Sequence, residues 1–259
     1  MKGSFPHVGT SVSVISDTVA HSPPEPPAPG VRFLTTADPR GPRPGETIRE
    51  LNERATSAQV TELHYPAGSL VLVAGLPGAG KSTLLDRLYG LRGDETLPVI
   101  SGGTRVIDSR QSRSWWARFL GPLPHRARVP LVQANHVWRI ARAMSQGHAV
   151  VAHTRGTWPH ILRGFAWMAR RRGGEVHLIL LDVDARTARQ GQVARGRVVT
   201  TSVFARHVRR WRPLMERARS GNVPPADGVT ILDRAAADRL KAIRFDGVPD
   251  AEGPAPEAR

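Results

Sequence analysis

Residues 69–74 read Ser-Leu-Val-Leu-Val-Ala, an apolar run that does not alternate with polar positions. That is the pattern of a strand covered on both faces. A glycine-rich turn follows, and residues 82–89 predict a helix stopped by Gly90. Similar units recur downstream. Residues 104–108 (TRVID) predict a second strand, and residues 131–145 place Leu131, Ala134, Val137, Trp138, Ala141 and Met144 at the three- and four-residue spacing of one helix face, ending at Gly147. Residues 148–153 (HAVVAH) predict a third strand, 160–172 a helix closed by Gly173, 175–183 (EVHLILLDV) a fourth strand, 203–219 a helix and 228–232 (GVTIL) a fifth strand. Strand and helix units with continuous apolar strands predict an α/β fold: five parallel strands in one sheet with helices on both sides.

The ends of the chain read differently. Eight prolines between residues 23 and 44 deny amide donors to helix and sheet, so residues 1–45 are expected to be a disordered leader. Residues 46–67 form a lead-in segment in which 46–62 suit a short helix, and residues 68–245 carry the folded domain. Residues 246–259 (DGVPDAEGPAPEAR) read as a second disordered tail, acidic in character.

A chain of 259 residues suits one to two domains with a sizeable core. The absence of cysteine excludes disulfides, thiolate chemistry and Cys-held zinc or iron–sulfur groups, and the ten histidines lack the spacing of a zinc site. The first twenty residues lack the apolar core of a signal peptide and no stretch approaches a membrane span, so a cytoplasmic protein is expected. The net charge of +15 lies almost wholly between residues 64 and 245, and nearly all of it is arginine; Lys2, Lys81 and Lys241 are the lysines. Arginine enrichment follows from a GC-rich genome as readily as from function, yet such a field also favours an anionic ligand.

The strongest chemical signal is the turn after the first strand. Gly75-Leu76-Pro77-Gly78-Ala79-Gly80-Lys81-Ser82-Thr83 satisfies G-x-x-x-x-G-K-[ST], with a strand before it and a helix after it. Glycines at Gly75, Gly78 and Gly80, with Ala79 between, let amide N–H groups point inward, and the helix from Lys81 adds its positive end. The pattern predicts nucleoside triphosphate binding. Lys81 is placed to reach the β and γ phosphates, and the Ser82 hydroxyl to ligate Mg²⁺ alongside phosphate oxygens and water, with Thr83 next to it.

GLPGAGKST, the Asp that ends the second strand in VIDSRQSR, a third strand after a Gly-ended helix, and LDVDARTARQGQVARGR together resemble the small P-loop kinases of the polynucleotide-kinase, gluconate-kinase and zeta-toxin kind, grouped as AAA-type ATP-binding proteins. The resemblance implies the P-loop NTPase fold with strand order 2-3-1-4-5, bound ATP and Mg²⁺, and transfer of the γ-phosphate to a hydroxyl of an anionic small molecule or a nucleic-acid end. It implies that Asp108 faces the acceptor hydroxyl as base, with Arg110 or Arg113 holding the acceptor's anionic group. A metal ligand or a cap at a strand end are the other readings of Asp108. It further implies that Arg189, Arg195 and Arg197 sit on a lid that closes over ATP and neutralises the transferring phosphoryl group; a solvated basic helix face is the other reading.

One position departs from that pattern. Where related enzymes usually end the third strand in Asp-Thr, this chain has His153-Thr154, and a neutral imidazole is a poor Mg²⁺ ligand. Asp108 or Asp182 supplying the metal's second contact through water, His153 hydrogen-bonding the acceptor or a phosphate, and a partly buried structural histidine are the alternatives. The departure also leaves a regulatory ATPase, acting as a nucleotide-dependent switch, as a second functional class. Arg206, Arg209, Arg210 and Arg217 on the 203–219 helix either track a nucleic-acid backbone or remain solvated while Val203, Phe204 and Trp211 pack inward. Trp115 and Trp116 either wall the acceptor pocket or fill core.

Overall fold

The computed structural model describes residues 31–34, 61–119, 124–154, 159–194, 196, 199–221 and 223–248. The remaining stretches of the expected leader, lead-in segment and tail lie outside the described residues.

The apolar run at 69–74 becomes β3 (Leu70–Gly75), whose six residues are all buried. Its side chains alternate between two cores. Leu70, Leu72 and Ala74 enter a cluster built with the helices α3 (His125–Ser145), α4 (Pro159–Arg170) and α6 (Thr201–Arg219). Val71 and Val73 point the other way, toward α1 (Lys81–Tyr89) and α7 (Arg234–Arg239). A strand sandwiched in this way has no polar face to show, which is why its sequence does not alternate. Each inner valine or leucine withdrawn from water contributes about 1.5–3 kcal/mol, so this strand is the anchor of the fold.

Around it run β5 (Thr104–Ile107), β6 (Val150–His153), β7 (Val176–Leu181) and β8 (Gly228–Leu232), giving the parallel order β5-β6-β3-β7-β8, which is the expected 2-3-1-4-5 order. The sheet is wider than expected, with seven strands rather than five. At one edge β4 (Val99–Ser101) pairs antiparallel with β5 across a turn at Gly102 and Gly103, whose φ values of 51° and 76° suit glycine. At the other edge β1 (Val31–Leu34) pairs parallel with β8, although it falls inside the stretch expected to be disordered. VRFL carries three apolar residues, Val31, Phe33 and Leu34, within a proline-rich segment, and the open edge of β8 supplies the backbone partners that local sequence does not. Glu62–Tyr65, read as part of the lead-in, is β2, and it pairs parallel with β9 (Ala242–Phe245) in a separate two-stranded sheet. Leu63, Tyr65, Ile243 and Phe245 bury that sheet in the second core.

Three helices that sequence periodicity did not reveal begin in the same way. α2 (Ser109–Ala117), α5 (Ala185–Val193) and α7 follow strands, and the carboxylates of Asp108, Asp184 and Asp233 accept hydrogen bonds from their first-turn amides. Such caps satisfy donors that have no partner within the helix. α3 starts six residues before the expected position, at His125, running through Pro130, which removes only one helix bond.

Candidate functional site

The glycine-rich turn lies at the carboxyl end of β3, where α1 begins. Gly80 is the residue before the helix, with φ 97°, and Gly78 has φ 90°. No side chain caps α1 and no carboxylate occupies its first turn, so its positive end is left for an anion. Lys81 is buried at 6% exposure, and its ammonium donates to the Gly75 and Leu76 carbonyls, both at 2.8 Å. Those two bonds hold the loop around the charge.

A cavity of about 550 Å³ opens over this turn. Gly75, Gly78, Gly80, Lys81, Ser82 and Thr83 line it, together with Ser109, Arg110, Arg113, His153 and His207. Lys81, Arg110 and Arg113 put three cations around the space against one carboxylate, Asp86. The volume lies within the range of small-molecule sites. Ser82 brings a hydroxyl to the space, and among the described residues no group of three His, Asp or Glu side chains could hold a metal. One protein oxygen with phosphate and water oxygens is a donor set that suits Mg²⁺, which keeps several waters.

Asp108 does not line the cavity. It is 1% exposed, caps α2 by accepting from the Arg110 amide at 2.7 Å, and lies 3.4 Å from Nδ1 of His153 and 3.2 Å from Nε of Arg110. Burial works against its charge, but His153 and Arg110 outweigh burial and hold the carboxyl far below the usual carboxylate range. Arg110 is also fixed from the other side by the Asp86 carboxylate. The groups that reach the cavity from this wall are therefore His153, Ser109, Arg110 and Arg113. Asp182 pairs with Arg219 at 2.7 Å and is likewise absent from the lining.

The lid residues are divided. Arg189 turns away from the cavity: it donates to the Thr201 hydroxyl at 3.1 Å, and its guanidinium lies 5.6 Å from the Phe204 ring centroid. Arg195 and Arg197 lie outside the described residues. What the sequence did not single out is Gln192. Its buried side chain donates to the Pro77 carbonyl at 3.0 Å and accepts from the Val199 amide at 3.0 Å, so it ties α5 and the segment before α6 to the phosphate turn. A glutamine at a polar helix position gives no sequence signal for this.

α5 also touches the turn through two glycines. A Cβ on Gly78 would sit 1.9 Å from the Ala188 carbonyl oxygen, and one on Gly191 would sit 2.6 Å from the Gly78 oxygen. Gly78→Ala should therefore push α5 off the turn, costing about 1–3 kcal/mol of stability and at least tenfold in nucleotide affinity. Gly90→Ala is the control, because Gly90 also has a positive φ but nothing stands within 4 Å of its added Cβ. Calorimetric titration and thermal melts of the two variants check this; equal affinities would refute the close-contact argument.

Trp115 and Trp116 do not line the cavity. They meet edge to face at 4.8 Å, with Phe119 at 5.2 Å from Trp115 and the Arg139 guanidinium 5.9 Å from the Trp115 ring. On α6 the buried side includes Phe204, Leu214 and Met215, while Arg206, Arg209, Arg210 and Arg217 are exposed.

A parallel sheet in this order, with a glycine turn, a lysine and an uncapped helix start at its carboxyl edge, defines a kinase-like P-loop ATP-binding protein. The chain belongs to the AAA domain family, whose model matches residues 70–217. Among curated proteins it is similar to the aliphatic sulfonates import ATP-binding protein SsuB, at 31% identity over 105 residues for Shigella flexneri and 30% for Escherichia coli strain K12. The match covers 40% of this chain and spans 41% of the length of those relatives. Similar solved structures include a gluconokinase from Sinorhizobium meliloti 1021, at 14% identity and a TM-score of 0.39, covering 68% of this chain and 93% of that one. Another is a putative kinase from Chloroflexus aurantiacus, at 16% identity and a TM-score of 0.44, covering 68% and 89% of the two chains. A third is shikimate kinase from Acinetobacter baumannii in complex with shikimate, at 16% identity and a TM-score of 0.37, covering 66% and 87%. No helix among the described residues is long and apolar enough to cross a membrane.

Proposed function

We propose that this protein is an ATP-dependent phosphotransferase that moves the γ-phosphate to a hydroxyl of an anionic small molecule or a nucleic-acid end. The observation that supports this reading is the size and lining of the cavity. Its volume of about 550 Å³ is shared by the phosphate turn and by Ser109, Arg110, Arg113, His153 and His207, which leaves room for a second reactant. A protein that only hydrolysed ATP would need space for one water.

In this reading the amides of Gly78 to Thr83 and the Lys81 ammonium hold the phosphate chain. The Ser82 hydroxyl would hold Mg²⁺, which would supply positive charge at the phosphate oxygens. Arg113 meets the anionic group of the acceptor. Asp108, proposed from sequence as the base, acts through its neighbours, because a buried carboxylate held so far below its ordinary range is a weak base. Its charge orients His153 at Nδ1, and the His153 imidazole, which lines the cavity, is the group proposed to take the hydroxyl proton. Arg195 and Arg197 remain proposed to neutralise the transferring group, whereas Arg189 is engaged by α6.

Incubation with ATP labelled at the γ-phosphate and a fractionated acceptor pool should move label into an acid-stable ester, and Arg113→Ala should raise the acceptor KM by about tenfold or more with the KM for ATP little changed. Release of inorganic phosphate alone, dependent on a partner protein, would instead place the chain among nucleotide-dependent switches.

A further inference from the structure

The phosphate cavity lies at the carboxyl ends of the strands. At their amino ends a second concavity of about 420 Å³ opens beside α4 and the turn before β8, lined by Arg163, Trp167, Arg170, Arg171 and Pro225. It shares no lining residue with the first. Arg163, Trp167 and Arg170 stand one and two turns apart on a single face of α4, and Arg171 follows directly at its end. The opposite face of the helix does the packing, through Leu162, Phe165, Ala166 and Ala169. Trp167 is therefore not a core residue, and it is 58% exposed.

The groove has an ordered side and an available side. Arg170 is held by the Asp227 carboxylate at 2.9 Å and the Pro225 carbonyl at 3.2 Å, and Asp227 is itself fixed by the Val176 amide at 2.9 Å. Arg171 lies 4.6 Å from the Trp167 ring centroid. Among the described residues, Arg163 and Arg171 have no carboxylate partner, and no acidic side chain lines the groove. An exposed indole one turn from a cation on each side offers stacking and charge together. A single-stranded nucleic acid uses both at once, with a base face on the indole and phosphates on the flanking guanidinium groups.

We infer that this groove binds single-stranded nucleic acid, with one base stacked on Trp167 and the neighbouring phosphates on Arg163 and Arg171. The chain's charge of +15 favours the approach of such a strand. The site is independent of the phosphotransfer reading.

The test uses the full chain and a fluorescein-labelled oligothymidylate of about 20 nucleotides in an anisotropy titration at several salt concentrations. Trp167→Ala should weaken binding by about 5- to 150-fold, and Trp167→Phe should keep most of it. Arg163→Ala with Arg171→Ala should reduce the slope of log affinity against log salt by about 1.4. Lys81→Ala should leave oligonucleotide binding unchanged, and ATP titration of the groove variants should match the parent, showing that they are folded. No binding at low salt would overturn the inference, as would wild-type affinity in Trp167→Ala or an unchanged salt slope in the arginine variant. So would loss of oligonucleotide binding in Lys81→Ala, or equal competition by AMP or by phosphatidylserine vesicles.

Discussion

Lys81→Ala should reduce ATP turnover on the order of a hundredfold to a thousandfold and weaken nucleotide binding in step. The lysine does two jobs. Its ammonium is the one lysine charge in the cavity, and through the Gly75 and Leu76 carbonyls it fixes the shape of the turn before any ligand arrives. Lys81→Arg should not restore activity, because the forked guanidinium is too large for a 6%-exposed site built around a compact cation. Single-turnover measurements with calorimetric ATP titration would check both variants. Retention of parental affinity by Lys81→Ala would remove the nucleotide reading of the turn altogether.

Asp108→Asn should leave nucleotide affinity within about threefold of the parent while lowering both stability and transfer. The amide oxygen can still cap α2, but it no longer neutralises Arg110 or orients His153. The expected loss is about 2 kcal/mol, between a charge-assisted hydrogen bond and a fully broken buried pair, because Arg110 keeps Asp86. The pH dependence has a fixed sign. A carboxyl held below its unfolded value stabilises the fold above that value, and the stabilisation drains away as pH falls beneath about 4. Thermal melts should therefore separate parent and variant at neutral pH and bring them together in acid. For transfer, His153→Gln should lower the rate with nucleotide affinity little changed, and Asp108→Asn should lower it by a smaller factor because the imidazole itself is retained. If Asp108→Asn removed ATP binding, Asp108 would be acting at the phosphates rather than through His153.

Much of the fold could be read from the sequence because its decisive elements are long and buried. The run SLVLVA becomes a strand covered on both sides, and the spacing from Leu131 to Met144 becomes part of α3. The short pieces could not. β4 and β9 are three- and four-residue strands that exist because a neighbour offers an edge, and β1 forms in a proline-rich stretch for the same reason. The aspartates show the limit differently. Asp108, Asp184 and Asp233 share one local pattern, a strand end followed by a helix, and all three cap. What sets Asp108 apart is His153, forty-five positions away and joined to it across β5 and β6. Similarly, Arg189, Arg195 and Arg197 are grouped by the family resemblance, while Arg189 is drawn to Phe204 by packing that the motif does not encode.

The pairing of β2 with β9 bears on mechanics. Because the two strands are parallel and come from opposite ends of the domain, tension applied through its flanks loads their hydrogen bonds in shear, all at once rather than one after another. Force applied at residues 61 and 246 is thus carried by this small clasp before it reaches β3, and the nucleotide turn is shielded from it.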